Sequence, residues 1–150
     1  MQSRMTLMNA RGAVYWMATT LTALCILSGG AANLSHAEVP LRGLAELGYP
    51  AYFATILGAW KVLGGLVLLA PRLPRLKEWA YAGIAFALSG AAFSHAAVGD
   101  PAVKVIVPLV ILGLAVTSWA LRPASRVLGA VTGEPAAARI GAYALAKAGT

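Results

Sequence analysis

The protein has 150 residues, of which 59% are hydrophobic and only 11% are charged, and its mean hydropathy is +0.74. A soluble domain of this size cannot bury so much apolar surface, so the composition excludes an ordinary soluble fold. The formal net charge of +7 does not indicate nucleic-acid binding, because the basic residues stand at the ends of apolar runs.

Four apolar runs cover most of the chain, at about residues 13–34, 49–70, 79–98 and 102–121. Each has the length of about 20 residues that a helix needs to cross a bilayer. The pattern predicts an all-α fold, a polytopic membrane four-helix bundle, in a single domain over residues 1–121. Residues 122–150 are rich in alanine and glycine, and we expect a mobile, basic cytoplasmic tail there.

The basic residues predict the orientation of the bundle. The first and third connections carry only Arg42 and Lys104. The remaining basic residues cluster before the first run, between the second and third, and after the fourth: Arg4, Arg11, Arg72, Arg75, Lys77, Arg122, Arg126, Arg139 and Lys147. The positive-inside rule therefore places both termini in the cytoplasm, an N-in/C-in topology.

The first apolar run has two interpretations. Arg4 and Arg11, an apolar stretch and the segment Ser35-His36-Ala37 together resemble a cleavable signal peptide. The run is longer than the usual apolar region of such a peptide, which favours a retained first helix. Its later half contains Ser28, Gly29 and Ala32 at small-xxx-small spacing, which allows close helix approach in lipid.

The long first connection, "SHAEVPLRGLAELGYP", contains Pro40 followed by leucines at helical spacing. Proline is favoured in the first turn of a helix, and the leucines would form one apolar face. We expect a short interfacial helix here. The alternative is an irregular loop.

Lys61 lies near the middle of the second apolar run, within "GAWKVLGGLVLLA". An unpaired charge at this depth in a bilayer is unfavourable by about 2.5 kcal/mol or more. Its neighbours at helical spacing are Gly58, Gly64 and Gly65, so it shares the face that another helix can approach closely. We interpret Lys61 as a ligand anchor facing the interior; the alternative is a lysine that reaches backbone carbonyls or the interface.

His95, near the end of the third run, is the second candidate ligand-binding residue. Asn33, Glu38 and Asp100 are expected at the same membrane face, and together these residues suggest one outward-opening cavity. Glu38 is the acid expected to reach toward Lys61, whereas Asp100 also fits an N-cap of the fourth helix. His36, Glu38 and His95 do not have the spacing of a metal motif, so no metal is assigned.

The stretch from residue 48 to residue 100 resembles the DoxX-like family of small four-helix bacterial membrane proteins. The resemblance rests on "GYP", "GAWKVLG", "PRLPRLKEWAYAG" and "SHAAVGD", and Lys61 and His95 fall on these motifs. It implies a multi-pass protein of the bacterial inner (cytoplasmic) membrane. Several relatives are linked to quinone-dependent oxidation, and others resemble chaperones or cargo receptors.

Three functions remain open at this point. The first is a redox-linked, quinone-associated membrane subunit, in which Lys61 donates to a ligand oxygen and His95 relays a proton. The chain has no haem, flavin or iron–sulfur motif and only one cysteine, Cys25, so a redox partner protein would supply the electrons. The second is a non-enzymatic scaffold, assembly factor or small-molecule binder, and the third is a small transporter acting as a homo-oligomer. No catalytic residue is assigned.

Overall fold

The computed structural model of the protein describes residues 2–123 and residue 126, with side chains from residue 10 onward. All regular structure in this part of the chain is helical. The helices are α1 (Gln2–Leu34), α2 (Glu38–Glu46), α3 (Tyr52–Leu69), α4 (Pro74–Ala97) and α5 (Ala102–Ala120). Apart from residues 122, 123 and 126, the predicted tail lies outside the described residues.

Three of the helices are long and apolar enough to cross a membrane, at Ala10–Leu34, Tyr52–Leu69 and Ala102–Ala120. The predicted third span lies in α4, which has 24 residues. This helix is long enough to cross a membrane, but its mean hydropathy is lower than that of the three candidate spans. Lys77, Glu78 and His95 lie within it and lower its mean hydropathy.

The short helix predicted in the first connection forms as α2, which begins at Glu38, two residues before Pro40. A glutamate in the first turn interacts favourably with the positive end of the helix dipole. The helix ends before Gly48, which has a φ of 82°. Glycine adopts this left-handed conformation without steric penalty, and it commonly terminates helices in this way. None of the residues of α2 is buried.

The four long helices pack in a ring, in which α1 contacts α3 and α5, and α4 contacts α3 and α5. The backbones of α1 and α3 approach closely at Gly30 and Gly58, where an added Cβ on Gly58 would lie 2.9 Å from the Gly30 carbonyl oxygen. The sequence predicted such an approach at Ser28, Gly29 and Ala32, but Ser28 is exposed. The absence of side chains at Gly30 and Gly58 therefore decides the distance between α1 and α3.

A hydrophobic core lies between the four long helices. Its buried members come from all four: Ile26, Leu68, Tyr81, Ile84, Leu88 and Ala115. We refer to the end of the molecule that carries α2 and the α4–α5 link as the α2 end, and to the opposite end as the hairpin end, after the tight α3–α4 turn.

Candidate functional site

A partly open cavity of about 760 Å³ lies at the α2 end. Helix α2 forms one side of it, α4 and α5 form the walls, and α3 contributes a single residue, Lys61. The wall residues are mostly apolar: Leu88, Ala91, Val103, Val107, Pro108 and Ile111. An apolar chamber with a few charged groups is the usual character of a site for a small organic molecule.

Lys61 reaches this cavity from the α1–α3 crossing. An added Cβ on Gly30 would lie 3.0 Å from the Lys61 Cβ, and one on Gly29 would lie 3.8 Å from the ammonium nitrogen. The side chain therefore extends along a stretch of α1 that lacks side chains of its own. Among the described residues, no hydrogen bond or ion pair is formed by the ammonium group. Its three donors are available to a ligand.

His95 lines the same cavity and is held by Asp100. The Nδ1–H of His95 donates to the Asp100 Oδ2 at 2.7 Å. Lys104 donates to the other oxygen of Asp100 at 2.9 Å and to Glu46 at 3.0 Å. This chain of contacts joins α4, the α4–α5 link, α5 and α2, so it fixes the position of the imidazole ring at the edge of the cavity.

The partners of Asp100 determine its charge and the tautomer of His95. The hydrogen bond from His95, followed by that from Lys104, holds the pKa of Asp100 below its usual value. A carboxylate that is ionised at neutral pH can only accept hydrogen bonds, so Nδ1 of His95 carries the proton in this contact. In the neutral ring Nε2 is then an acceptor. Lys61 is thus a donor, and His95 a proton acceptor, in one cavity.

The structure brings three of the five predicted candidates to the cavity, namely Lys61, His95 and Glu38. Glu38 does not reach toward Lys61 as expected, because it pairs with Arg42 on the next turn of α2. Asp100 acts through His95 and does not cap α5, which has no side-chain hydrogen bond at its N-terminus. Asn33 is buried in α1 and is not among the residues that line the cavity.

His36 is also directed away from the cavity, because its ring nitrogen Nε2 bonds to the Thr55 hydroxyl at 2.8 Å. Within the described part of the chain, no three histidine, cysteine, aspartate or glutamate side chains come close enough to hold a metal ion. Of the predicted candidates, Lys61 and His95 bring an ammonium group and an imidazole ring to the lining of the cavity.

Sequence reasoning missed the charged residues that frame the cavity. Arg42, Glu46 and Lys104 all line it, and the Lys104–Glu46 bond connects residues 58 positions apart. The one signal that could have identified them is the position of all three at the predicted outer face, together with the helical spacing of Arg42 and Glu46 on α2.

A buried hydroxyl network at the hairpin end was also missed. The Thr19 and Ser118 hydroxyls lie 2.6 Å apart, and the Tyr81 hydroxyl lies 2.7 Å from that of Ser118. Thr19 also donates to the Tyr15 carbonyl oxygen. Thr22, one turn further along α1, is fully buried, and its hydroxyl has no partner among the described residues. Two threonines three residues apart in an apolar run were the available signal.

The comparisons with known proteins agree with the sequence motifs. The model of the DoxX-like family matches residues 17–118, which include the apolar wall of the cavity, Lys61, His95 and the hydroxyl network. No curated protein and no solved structure is found to match the chain. The family match covers more than half of the chain, and with the helical architecture and membrane-span-like helices described above it shows that this protein belongs to the DoxX-like family.

Proposed function

We propose that this DoxX-like protein binds a lipid-soluble, oxygen-bearing molecule of the quinone class in the cavity at its α2 end. The observation that carries the proposal is the Lys61 ammonium, which lines an apolar cavity and has no counter-ion among the described residues. A lysine that is held away from water needs an anionic or carbonyl oxygen to satisfy its donors.

Each acid at the cavity already has a partner other than Lys61. Arg42 pairs with Glu38, and Lys104 pairs with both Glu46 and Asp100. An additional acidic or carbonyl group on a ligand would therefore be directed to Lys61. The apolar walls on α4 and α5 suit a hydrophobic ring or tail, which gains about 25 cal/mol for each Å² of apolar surface removed from water.

His95 supports a role in proton transfer for the same ligand. A hydroxyl group of a reduced, phenol-like ligand could give its proton to Nε2 of His95, and the ionised Asp100 would stabilise the imidazolium that forms. This step moves a proton only. Oxidation or reduction of the ligand would require a partner protein to exchange electrons with it.

The apolar core favours this function over transport. Ile26, Ile84 and Ala115 are buried in the core between the long helices, and apolar side chains do not compensate a polar substrate for the loss of water. A scaffold without a ligand is the remaining alternative. If the protein is a scaffold, removing the charge of Lys61 should change only its stability and not the binding of a ligand.

The test is a binding titration with protein purified in mild detergent. Tryptophan fluorescence of the wild type would be followed as a short-chain benzoquinone is added, and the same alkyl chain on a benzene ring serves as the control ligand. We expect saturable quenching by the quinone and at least a tenfold weaker affinity for Lys61→Met. Arg75→Met, which removes an exposed charge at the hairpin end, should bind as the wild type does.

Two outcomes would contradict the proposal. Equal affinities for Lys61→Met and Arg75→Met would show that the buried lysine does not contact the ligand. Equal quenching by the quinone and the alkylbenzene would show partitioning into detergent. Either result, obtained with well-folded protein, favours the scaffold.

We also propose that α4 completes a bundle of four membrane spans. Phe86 and Phe93, seven residues apart on α4, are each more than 75% exposed, and they form an apolar outer face like those of the other long helices. Soluble proteins seldom expose such large apolar side chains on every helix. A lipid environment accounts for their exposure.

The charges at the two ends support an N-in/C-in orientation. At the hairpin end the basic residues Arg72, Arg75, Lys77, Arg122 and Arg126 accompany one acid, Glu78, among the described residues. The α2 end has the opposite bias, with three acids, Glu38, Glu46 and Asp100, beside two bases, Arg42 and Lys104. By the positive-inside rule the hairpin end is cytoplasmic, and the location proposed is a bacterial inner membrane.

Cysteine labelling tests this orientation in a Cys25→Ser background. A membrane-impermeant maleimide should label Ala51→Cys in intact spheroplasts, and it should label Arg75→Cys only after the membrane is permeabilised. The reverse pattern would mean that the bundle is inverted. Labelling of both sites in intact spheroplasts would mean that α3 does not span the membrane.

A further inference from the structure

The hairpin end contains a basic cluster that the proposed ligand site does not use. It consists of Lys77, Arg122 and Arg126, with Glu78 as the only acid close to them among the described residues. Arg122 donates to Glu78 at 2.8 Å, and both arginines act electrostatically on the Lys77 ammonium. Of these three cations, Arg122 alone pairs with the carboxylate among the described residues.

The two buried members of this cluster are held by the protein. Lys77, only 1% exposed, donates to the Val67 and Leu68 carbonyl oxygens at 2.7 and 2.5 Å, which are among the last carbonyls of α3. Arg122 donates a hydrogen bond from Nε to the Trp119 carbonyl oxygen and another from Nη1 to the Glu78 carboxylate. Both charges are therefore fixed in place by contacts within the protein.

Arg126 is the accessible member of the cluster. Its Nη1 donates to the Tyr15 hydroxyl at 3.2 Å, and its guanidinium carbon lies 4.6 Å from the centre of the Trp16 ring. No described residue accepts a hydrogen bond from its Nε or Nη2. A guanidinium group presents a pair of parallel N–H donors, and this geometry matches the oxygens of a phosphate group.

The aromatic residues beside the cluster place it at the level of lipid headgroups. Trp16 and Trp119 are each 48% exposed, and the Trp119 indole nitrogen donates to Glu78 at 3.0 Å. Tryptophans with an apolar face and a bonded N–H are typical of the membrane–water interface. Met17 and Val116, toward the middle of the same helices, are exposed and apolar, so an acyl chain could lie against them.

We propose that Arg126, with the neighbouring charges of Arg122 and Lys77, binds the phosphate of an anionic phospholipid beside Tyr15 and Trp16 of α1. The excess positive charge favours a lipid with a net negative headgroup over a zwitterionic one. A lipid phosphate would compensate charges that the described residues leave unbalanced, and its acyl chains would cover the exposed apolar residues beside the tryptophans. This site is separate from the cavity at the α2 end, so neither proposal depends on the other.

The test is the thermal stability of full-length protein in detergent after addition of lipid. Phosphatidylglycerol should raise the apparent melting temperature more than an equal amount of phosphatidylcholine does. Arg126→Gln should lose most of this difference and keep a melting temperature near that of the wild type without lipid. Arg75 is an exposed residue at the same end and contacts no aromatic ring among the described residues. The variant Arg75→Gln should therefore keep the larger stabilisation by phosphatidylglycerol.

Three results would overturn the proposal. The first is an equal effect of the two lipids on the wild type. The second is an equal loss in Arg75→Gln and Arg126→Gln, which would indicate attraction to the general charge of this end. The third is full stabilisation by inorganic phosphate alone at millimolar concentration, which would identify the ligand as a free anion.

Discussion

The close packing of α1 against α3 predicts that a side chain at Gly58 will destabilise the protein. A Cβ added to Gly58 would lie 2.8 Å from the Leu34 Cγ, and 2.9 Å from both the Gly30 carbonyl oxygen and the Leu34 backbone nitrogen. Two of these atoms belong to the backbone of α1, so they can move only if the whole helix moves. We expect Gly58→Ala to separate the two helices that hold Lys61.

A second glycine on the same helix provides the matched control. A Cβ on Gly64 would have no neighbour within 4 Å. Both substitutions bring the same gain in helix propensity, about 0.5–1 kcal/mol, and this gain cancels when the two variants are compared. What remains is the overpacking penalty at Gly58, about 1–3 kcal/mol. For a protein of this size, that corresponds to a difference of about 2–12 °C in melting temperature.

The assay is the apparent melting temperature of each purified variant in the same detergent, read from circular dichroism at 222 nm. Gly58→Ala should melt below the wild type, and Gly64→Ala should melt at or above it. If Gly58→Ala melts as high as Gly64→Ala does, then α1 and α3 do not touch at this point, and the placement of Lys61 between them is wrong.

Three further predictions concern polar groups that are hydrogen-bonded within the protein, and the apparent melting temperature checks each of them. Thr19→Val should destabilise the protein by about 1–3 kcal/mol, because it breaks the buried hydroxyl network. Thr22→Val should be neutral or stabilising, because the Thr22 hydroxyl has no partner in the described structure. Equal losses of stability in the two variants would contradict this reasoning. The hydrogen bond from His95 lowers the pKa of Asp100. The ionised Asp100 therefore stabilises the fold above its unfolded pKa of about 4, and this stabilisation is lost as the pH falls through the lower pKa of the folded state. The melting temperature of Asp100→Asn should accordingly depend less on pH below about 4 than that of the wild type. Lys77→Met should cost about 1–3 kcal/mol, because it removes the donor to two carbonyl oxygens at the end of α3, and an unchanged melting temperature would refute that role.

Some features of the site could be predicted from local sequence. The glycines around Lys61 indicated a close helix neighbour, because residues three and four apart on a helix share a face. Gly58 and Gly65 are buried, and Gly58 packs against α1, whereas Gly64 has open space around it. The helix in the first connection was predicted from Pro40 and the spacing of the leucines. These are properties of a single helix, so they can be read from its own residues.

Other features depended on which helices meet and in what rotation. Asp100 was predicted as a ligand-binding candidate that also fits a helix cap, but its carboxylate accepts hydrogen bonds from side chains of α4 and α5. Asn33 was grouped with the cavity because of its depth alone, and the rotation of α1 directs it elsewhere. The depth of a residue along a helix follows from its position in the sequence. Which neighbours its side chain meets depends also on how the helix is rotated about its axis, and only the packed structure fixes that rotation.

The sequence by itself determined the helical fold, three of the four predicted apolar spans, the excess of basic residues at one end and the family to which the chain belongs. These follow from composition, run length and local motifs, which do not depend on tertiary contacts. Only the tertiary structure decided that Thr19 meets Ser118, 99 residues away, and that Lys61 has no counter-ion among the described residues. Such partners are set by helix order and rotation, which arise from the close approach of α1 and α3 and from the fit of side chains across the whole ring.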